Sequence, residues 1–336
     1  MKSDRMDTRR RFVLALGAAT LTAPLPSWAQ QKERVRRIGF LAIRARPSAT
    51  NPDASYAAFV KGMQKLGWVE GKNLQIEWRY AYGDYAALPK LATELVQNRV
   101  ELIVTHTTPG TQAAKAATAT IPIVTAAVSD PVGSGLVPSL ARPGGNITGI
   151  SNMGVDMAPK QLETLKILLP KLSTVAFVLN PGTKPNLQML ESLQAAAGKF
   201  NVKVVRIDAR TAEELDAGFA GMKKQRVEAA IVANDGFFVG QRQTIAALGI
   251  KDKMPTVFSY REHVESGGLM SYGENLADVY ATVATYVDKI LKGAKAGELP
   301  FEQPNKLQLT INAKTAKALG IKVPQELLIR ADEVIE

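Results

Sequence analysis

The chain of 336 residues contains no cysteine. Disulfides and thiolate metal sites are therefore excluded, and the fold must rest on its hydrophobic core. Histidine is nearly absent as well. Only His106 and His263 occur, neither with a partner at metal-ligand spacing, so no metal site is expected. Phosphate-binding and nucleophile motifs are missing in the same way. Gly67-Trp68-Val69-Glu70-Gly71-Lys72-Asn73 has the wrong spacing for a phosphate loop and ends in asparagine. Gly149-Ile150-Ser151-Asn152-Met153-Gly154 misses the G-x-S-x-G elbow by one residue, and Gly133-Ser134-Gly135 lacks the third glycine of a dinucleotide loop. Acidic residues are scattered, with no pair suited to acid–base work. No catalytic residue and no cofactor site can be named, and the chain is read as something other than an enzyme.

Long apolar runs are missing too. The run from Phe12 to about Leu25 is broken by Pro24 and Pro26, and it falls short of the roughly 20 residues a bilayer span needs. What surrounds it is a different signal. Thr8-Arg9-Arg10-Arg11-Phe12-Val13-Leu14 resembles the twin-arginine export signal of bacteria, and Ser27-Trp28-Ala29 supplies small residues where a signal peptidase reads. Residues 1–29 are thus expected to be an export signal cleaved after Ala29, and the protein to work in the periplasm. Removing them takes away five basic residues (Lys2, Arg5, Arg9, Arg10, Arg11) and two acidic ones (Asp4, Asp7). From the 42 basic and 31 acidic residues of the whole chain this leaves 37 and 29, a net charge of +8. Those charges alternate in sign, and the longest basic cluster, Arg34 to Arg37, sits beside the cleavage point. Together with export, this argues against nucleic acid and for a generally positive surface that favours anionic partners.

What is present is an ordinary globular composition, 46% apolar and 6% aromatic. About 300 mature residues exceed a typical single domain, so two lobes are expected. From residue 36 short β-branched runs alternate with amphipathic stretches. Strands are expected at 37–41, 74–78, 102–104 and 121–124, with helices near 54–67, 85–98 and 109–118 between them. In Leu88-Leu91-Ala92-Leu95-Val96 the apolar residues recur at steps of three and four. The pattern then restarts, with strands at 175–179, 202–205, 230–232 and 256–258 and helices near 185–199, 211–223 and 238–249. Repeated strand–helix–strand order predicts an α/β fold with parallel sheets. The halves also echo each other. Arg99-Val100-Glu101-Leu102-Ile103-Val104 returns as Arg226-Val227-Glu228-Ala229-Ala230-Ile231-Val232, and Ile121-Pro122-Ile123-Val124 as Met254-Pro255-Thr256-Val257. Two similar Rossmann-like lobes follow, joined by a multi-strand hinge. The N-terminal lobe is expected to take residues 34–150 plus 273–311, the C-terminal lobe 151–272 plus 312–336. The glycine-rich stretches 142–149 and 266–273 are read as crossings. A long helix at about 276–292 and the strand Leu307 to Ile311 would complete the first lobe, and the tail would pack on the second.

In such sheets ligands bind beyond the carboxyl ends of the strands. After the third strand, Thr107, Thr108 and Thr111 place hydroxyls beside the free N–H groups of a helix start, a seat for a carboxylate or a plain helix cap. His106 reads as a satisfied loop residue. After the fourth, Asp130 is either an ammonium partner or the cap of the turn that begins at Pro131. In the second half, Asn180 and Asp235 end strands in corresponding places. Asp235 is the better ammonium candidate, with Phe237 or Phe238 as an apolar wall, and Tyr56, Tyr260 and Tyr272 can bring aromatic faces to the cleft.

These strings together resemble the exported substrate-binding proteins of ABC transporters that include a tryptophan/tyrosine-binding type. The resemblance rests on Phe59 to Asn73, Asp130 to Val137, Arg142 to Gly149, Gly267 to Gly273, Ala313 to Gly320 and Arg330-Ala331-Asp332, in that order along nearly the whole mature chain. It implies a periplasmic binding protein of type I, with no cofactor, that closes two lobes over a small solute and delivers it to an ABC permease in the inner membrane, as a monomer. An amino acid, aromatic or large and apolar, or a small organic acid is the expected solute. A sensory module presenting a solute to a receptor is the main rival, and an exported hydrolase a more distant one.

Overall fold

The computed structural model describes residues 35–304 and 306–336. The expected export segment, residues 1–29, lies outside them. The first half of the chain forms β1 (Arg36–Ala42), α1 (Ala54–Lys65), β2 (Leu74–Tyr80), α2 (Leu88–Gln97), β3 (Leu102–His106), α3 (Thr108–Ala117), β4 (Ile123–Ser129) and β5 (Ile147–Asn152). The five strands pair in parallel in the order β2-β1-β3-β4-β5. The apolar runs of β3 and β4 are buried on both faces, since each parallel crossover lays a helix on the sheet, whereas the edge strand β2 alternates and is partly exposed. Alternate residues serve opposite faces: Ile38, Phe40, Leu102 and Val104 join one core, Leu41, Ile103 and Ile123 the other.

The second half forms α4 (Gly154–Leu168), β6 (Thr174–Leu179), α5 (Lys184–Ala197), β7 (Lys203–Asp208), α6 (Ala212–Lys224), β8 (Ala229–Val232), α7 (Gly236–Gly240), α8 (Arg242–Lys251), β9 (Thr256–Phe258), α9 (Arg261–Glu265) and β10 (Met270–Gly273). Next come α10 (Leu276–Leu291), β11 (Gln308–Asn312), α11 (Ala313–Ala318), α12 (Gln325–Arg330) and β12 (Glu333–Ile335). The second sheet runs β12-β11-β10-β9-β8-β6-β7 and is parallel except where β10 meets β11. Phe177, Phe219, Phe238 and Phe258 lie fully buried in its core. Among the described residues no helix is long and apolar enough to cross a membrane.

The internal echo has a structural counterpart. Arg99 and Arg226 both adopt φ +54° in the turn before the strand. Glu101 and Glu228 then brace the start of the neighbouring strand, Glu101 by accepting from the Arg37 N–H at 3.3 Å and Glu228 from the Ser173 and Thr174 N–H groups at 2.6 and 2.8 Å. Helix α10 packs on the first sheet's side, where Val283 and Val287 join the core around Phe59 and Met63. A Cβ on Gly62 of α1 would stand 2.8 Å from the Ala284 Cβ, so the glycine lets the two helices approach closely.

Three expectations need correction. The strand at 308–312 belongs to the second sheet, not the first. Glu302, just before it, takes the open edge of β5, exchanging backbone bonds with Gly149 and Ser151 at 3.1 and 2.9 Å. The chain then crosses and β11 pairs antiparallel with β10. The two glycine-rich stretches read as crossings instead lead into strands β5 and β10. The crossings lie just beyond them, at Met153 and at Glu274-Asn275, with a third after Glu302. Helix 238–249 is in fact two helices, α7 and α8, meeting at Gln241. The crossings are tied to one another: the Glu274 carboxylate accepts the Met153 N–H at 2.7 Å, and Asn275 donates to the Gln308 side chain at 3.3 Å. Burial pushes the Glu274 carboxyl up to about 7 against its single backbone hydrogen bond.

Candidate functional site

The carboxyl ends of both sheets face one cleft, and the lobes meet across it. Tyr85 donates to Asp235 at 2.6 Å, Ser55 to Glu262 at 3.1 Å, Arg242 to the Pro52 carbonyl at 3.0 Å and to the Asn51 side chain, and Lys184 to the Gly133 carbonyl at 3.3 Å. At the centre the approach is closer still. A Cβ on Gly236 would fall 2.5 Å from Ile43 Cγ2 and 3.1 Å from Thr107 Cγ2. Three first-lobe residues at the cleft hold positive-φ backbones, Tyr82 at φ 53°, Thr107 at φ 65° and Asp130 at φ 42°. Each such conformation costs about 1–3 kcal/mol, strain that concentrates at ligand-binding segments.

Arg44, two residues after β1, is a buried charge of the site, 5% exposed. Its Nε lies 3.2 Å from Asp53 and 3.4 Å from the Tyr56 hydroxyl, its Nη2 3.3 Å from the Tyr280 hydroxyl, and the guanidinium carbon sits 4.5 Å from the Tyr56 ring centroid. Burial works against its charge, but Asp53 and the two phenol oxygens outweigh it and hold the proton more firmly than water does. His106 is held neutral, its pKa well below the ordinary value, first by burial and then by Arg44. The Ile43 N–H donates to its Nε2 at 3.1 Å, which assigns the ring proton to Nδ1.

The expected site residues separate into groups. Tyr56 is buried against Arg44 and 3.1 Å from His106 Nε2, and burial pushes its phenol well above the usual range. Tyr260 is buried with its hydroxyl engaged by the Asn234 and Asn152 side chains. Asp235 caps α7 through the Phe237 N–H at 2.8 Å, holds Tyr85, and takes a 3.4 Å contact from Thr183. Its oxygens are thus spent on protein partners. Phe237 is buried beside it, and Asn180 shapes the facing turn by accepting from the Gly182 N–H at 3.0 Å. Thr107 is the cap of α3, bonding the Gly110 N–H at 3.5 Å. Thr108 clamps the end of β4 through both backbone groups of Ser129. Asp130 caps its own turn through the Gly133 N–H at 2.8 Å. Thr111 and Tyr272 are not at the cleft surface. The Thr111 hydroxyl is fully buried between the Thr107 carbonyl and Thr125, and Tyr272 packs half-buried on the second-lobe core.

Two hollows flank the lobe contact. The larger, about 1300 Å³, is lined by Arg44, Tyr56, Trp78, Tyr80, Arg242 and Glu262. The other, about 690 Å³, is bordered by Tyr85, Asn180, Thr183, Arg210 and Phe237. Sequence reasoning missed Arg44, Trp78, Tyr80, Arg242 and Glu262. A signal was there for four of them: Arg44 ends the first strand's apolar run, Glu262 follows the β9 end by a few residues, and Trp78 and Tyr80 share a strand face two residues apart.

The comparisons with known proteins agree with this architecture. The family model described as ABC transporter substrate binding protein matches residues 42–335. A curated relative, the tyrosine-binding protein of Clostridioides difficile (strain R20291), is 28% identical over 291 residues, covering 86% of this chain and 82% of the relative. Two solved structures are each 28% identical over 90% of this chain and 100% of their own. A conserved domain protein from Vibrio cholerae superposes with a TM-score of 0.82, and an ABC domain in complex with L-Trp from Streptococcus pneumonia with 0.81. A ligand-free, open substrate binding protein with adhesive properties from Clostridium difficile has the same identity and covers 90% of this chain and 99% of its own, but superposes with only 0.62.

Proposed function

The chain belongs to the ABC transporter substrate binding proteins, and on that premise we propose that it is the extracytoplasmic capture component of an importer, trapping a small solute between two closing lobes. One observation carries the closing reading. At equal identity and nearly equal coverage, the likeness is much greater to a ligand-bound relative than to a ligand-free, open one. That difference supports a lobe arrangement of the bound kind here, with hydrogen bonds across the cleft and Gly236 pressed against Ile43. The named ligands of the relatives, tyrosine and L-Trp, support an amino acid, aromatic or large and apolar, over a small organic acid as the solute. Two lobes on three crossings can hinge over such a guest, an arrangement for which closure of periplasmic binding proteins is the general example. The protein alters no bond in its guest. It hands the guest to a permease in the inner membrane, and it does so as a monomer.

The test is a thermal-shift screen of the mature chain against the twenty amino acids, aromatic acids and a broad solute library. At least one solute should raise the melting temperature, with a dissociation constant of roughly micromolar, about −8 kcal/mol. Silence across the library, or turnover of an added ester or peptide, overturns the reading.

A further inference from the structure

The larger hollow draws its walls from both lobes, and its chemistry is unevenly satisfied. On the first-lobe side Arg44 uses Nε on Asp53 and Nη2 on Tyr280, while its Nη1 donates no hydrogen bond among the described residues. On the second-lobe side Glu262 accepts from Ser55 through Oε1. Its Oε2 is buried and has no hydrogen-bond partner among the described residues. Arg242 stands nearby, giving its Nη1 to the Val239 carbonyl at 3.2 Å. The same hollow is lined by an aromatic pair, Trp78 and Tyr80, stacked at 5.8 Å and 1°. We infer that this hollow is the solute seat and that it reads both charges of an α-amino acid: Arg44 receives the carboxylate, Glu262 the ammonium, and Trp78 with Tyr80 a planar or bulky side chain. The inference rests on the solute-binding reading above and gives that site its residues.

Three physical points carry it. A buried carboxylate oxygen left unpaired costs about 1–3 kcal/mol or more, a debt that an ammonium donor removes on binding. The shielded charges of the hollow balance, Arg44 and Arg242 against Asp53 and Glu262. A guest of zero net charge keeps that balance, whereas an organic anion leaves an excess negative charge in a poorly solvated place. The remaining charged residues of the lining, Arg46, Lys61 and Glu265, are exposed and screened. Asp235, by contrast, already serves three protein donors and has no comparable vacancy.

The experiment is a calorimetric titration of the mature chain with the amino acid that binds best, L-tryptophan as the first probe. Tryptamine, which lacks the carboxylate, and indole-3-propionate, which lacks the ammonium, are titrated beside it. Sites built to pair a polar group reject analogues that lack it strongly. Each analogue should bind the wild type at least roughly tenfold more weakly than the amino acid. Glu262→Gln should weaken the amino acid by a similar factor and leave indole-3-propionate unchanged. Equal losses for both ligands, or none, overturn the assignment, and so does a wild type that binds indole-3-propionate as tightly as tryptophan. The analogue series needs no variant, so a Glu262→Gln protein that fails to fold does not protect the proposal. A wild type that binds no amino acid but does bind another solute overturns the seat and leaves solute capture standing. A wild type that binds nothing in the library overturns both.

Discussion

Tyr85 places its hydroxyl 2.6 Å from Oδ1 of Asp235, 150 residues away and in the opposite lobe. The sequence marks Asp235 as a partner for a ligand ammonium. In the folded chain it is instead a bolt between the lobes, and its burial makes that bolt sensitive to pH.

Burial pushes the Asp235 carboxyl up to about 6, although Tyr85, Phe237 and Thr183 all donate to it. The unfolded value is near 3.9. Between those limits the folded protein holds a proton that the unfolded chain has released. The stabilisation is therefore complete below about pH 4 and is lost as the pH rises through 6, a change on the order of 3 kcal/mol. Asp235→Asn keeps an oxygen for Tyr85 and removes the titration. In denaturant unfolding, the stability of the wild type relative to this variant should fall by that order between pH 4 and 7. A difference that stays flat over the range contradicts the assignment.

Arg44 and Asp53 form the second testable pair, 3.2 Å apart with side chains only 5% and 9% exposed. Asp53 also caps α1, accepting the Tyr56 N–H at 3.0 Å. Arg44→Met strands that carboxylate and should cost about 3–5 kcal/mol. Asp53→Asn keeps the cap, so adding it to Arg44→Met removes the stranded charge and should recover part of the loss. The double-mutant cycle, read by urea unfolding, is expected to show a coupling above about 1 kcal/mol. Additive losses would mean that the pair does not stabilise the fold as a unit.

The parts of this fold legible in the sequence are those written in periodicity. The strand–helix alternation and the echo of Arg99-Val100-Glu101 in Arg226-Val227-Glu228 both became structure, down to equal φ values and equivalent carboxylate braces. Pairing choices were not legible. Nothing in Gln308 to Asn312 tells which sheet edge it will join, because Glu302 fills the first edge only once both ends of the chain are folded. The site shows the same divide. The rule that ligands gather at carboxyl ends picks out loops that border the cleft, yet whether a hydroxyl faces the cleft depends on a neighbour far along the chain. Thr111 turns to Thr125 and the Asp235 oxygens to Tyr85, while Arg44 gains its role from Tyr280, 236 residues on.

The tightest approach of the lobes, at Gly236, supplies the last prediction. This residue opens α7 in the second lobe, while the atoms a Cβ would strike, Ile43 Cγ2 at 2.5 Å and Thr107 Cγ2 at 3.1 Å, belong to the first. Its φ is not among the left-handed values, so alanine is compatible with the local backbone, and a helix favours alanine over glycine by roughly 1 kcal/mol. Gly236→Ala should thus leave the fold of each lobe intact while holding the lobes apart. Solute affinity should fall by about tenfold or more, and small-angle scattering with solute present should give a larger radius of gyration than the wild type. Gly240 ends the same helix with nothing within 4 Å of its Cβ position, so Gly240→Ala is the matched control and should bind as the wild type does. If both variants bind equally well, contact at Gly236 is not what limits the grip on the solute.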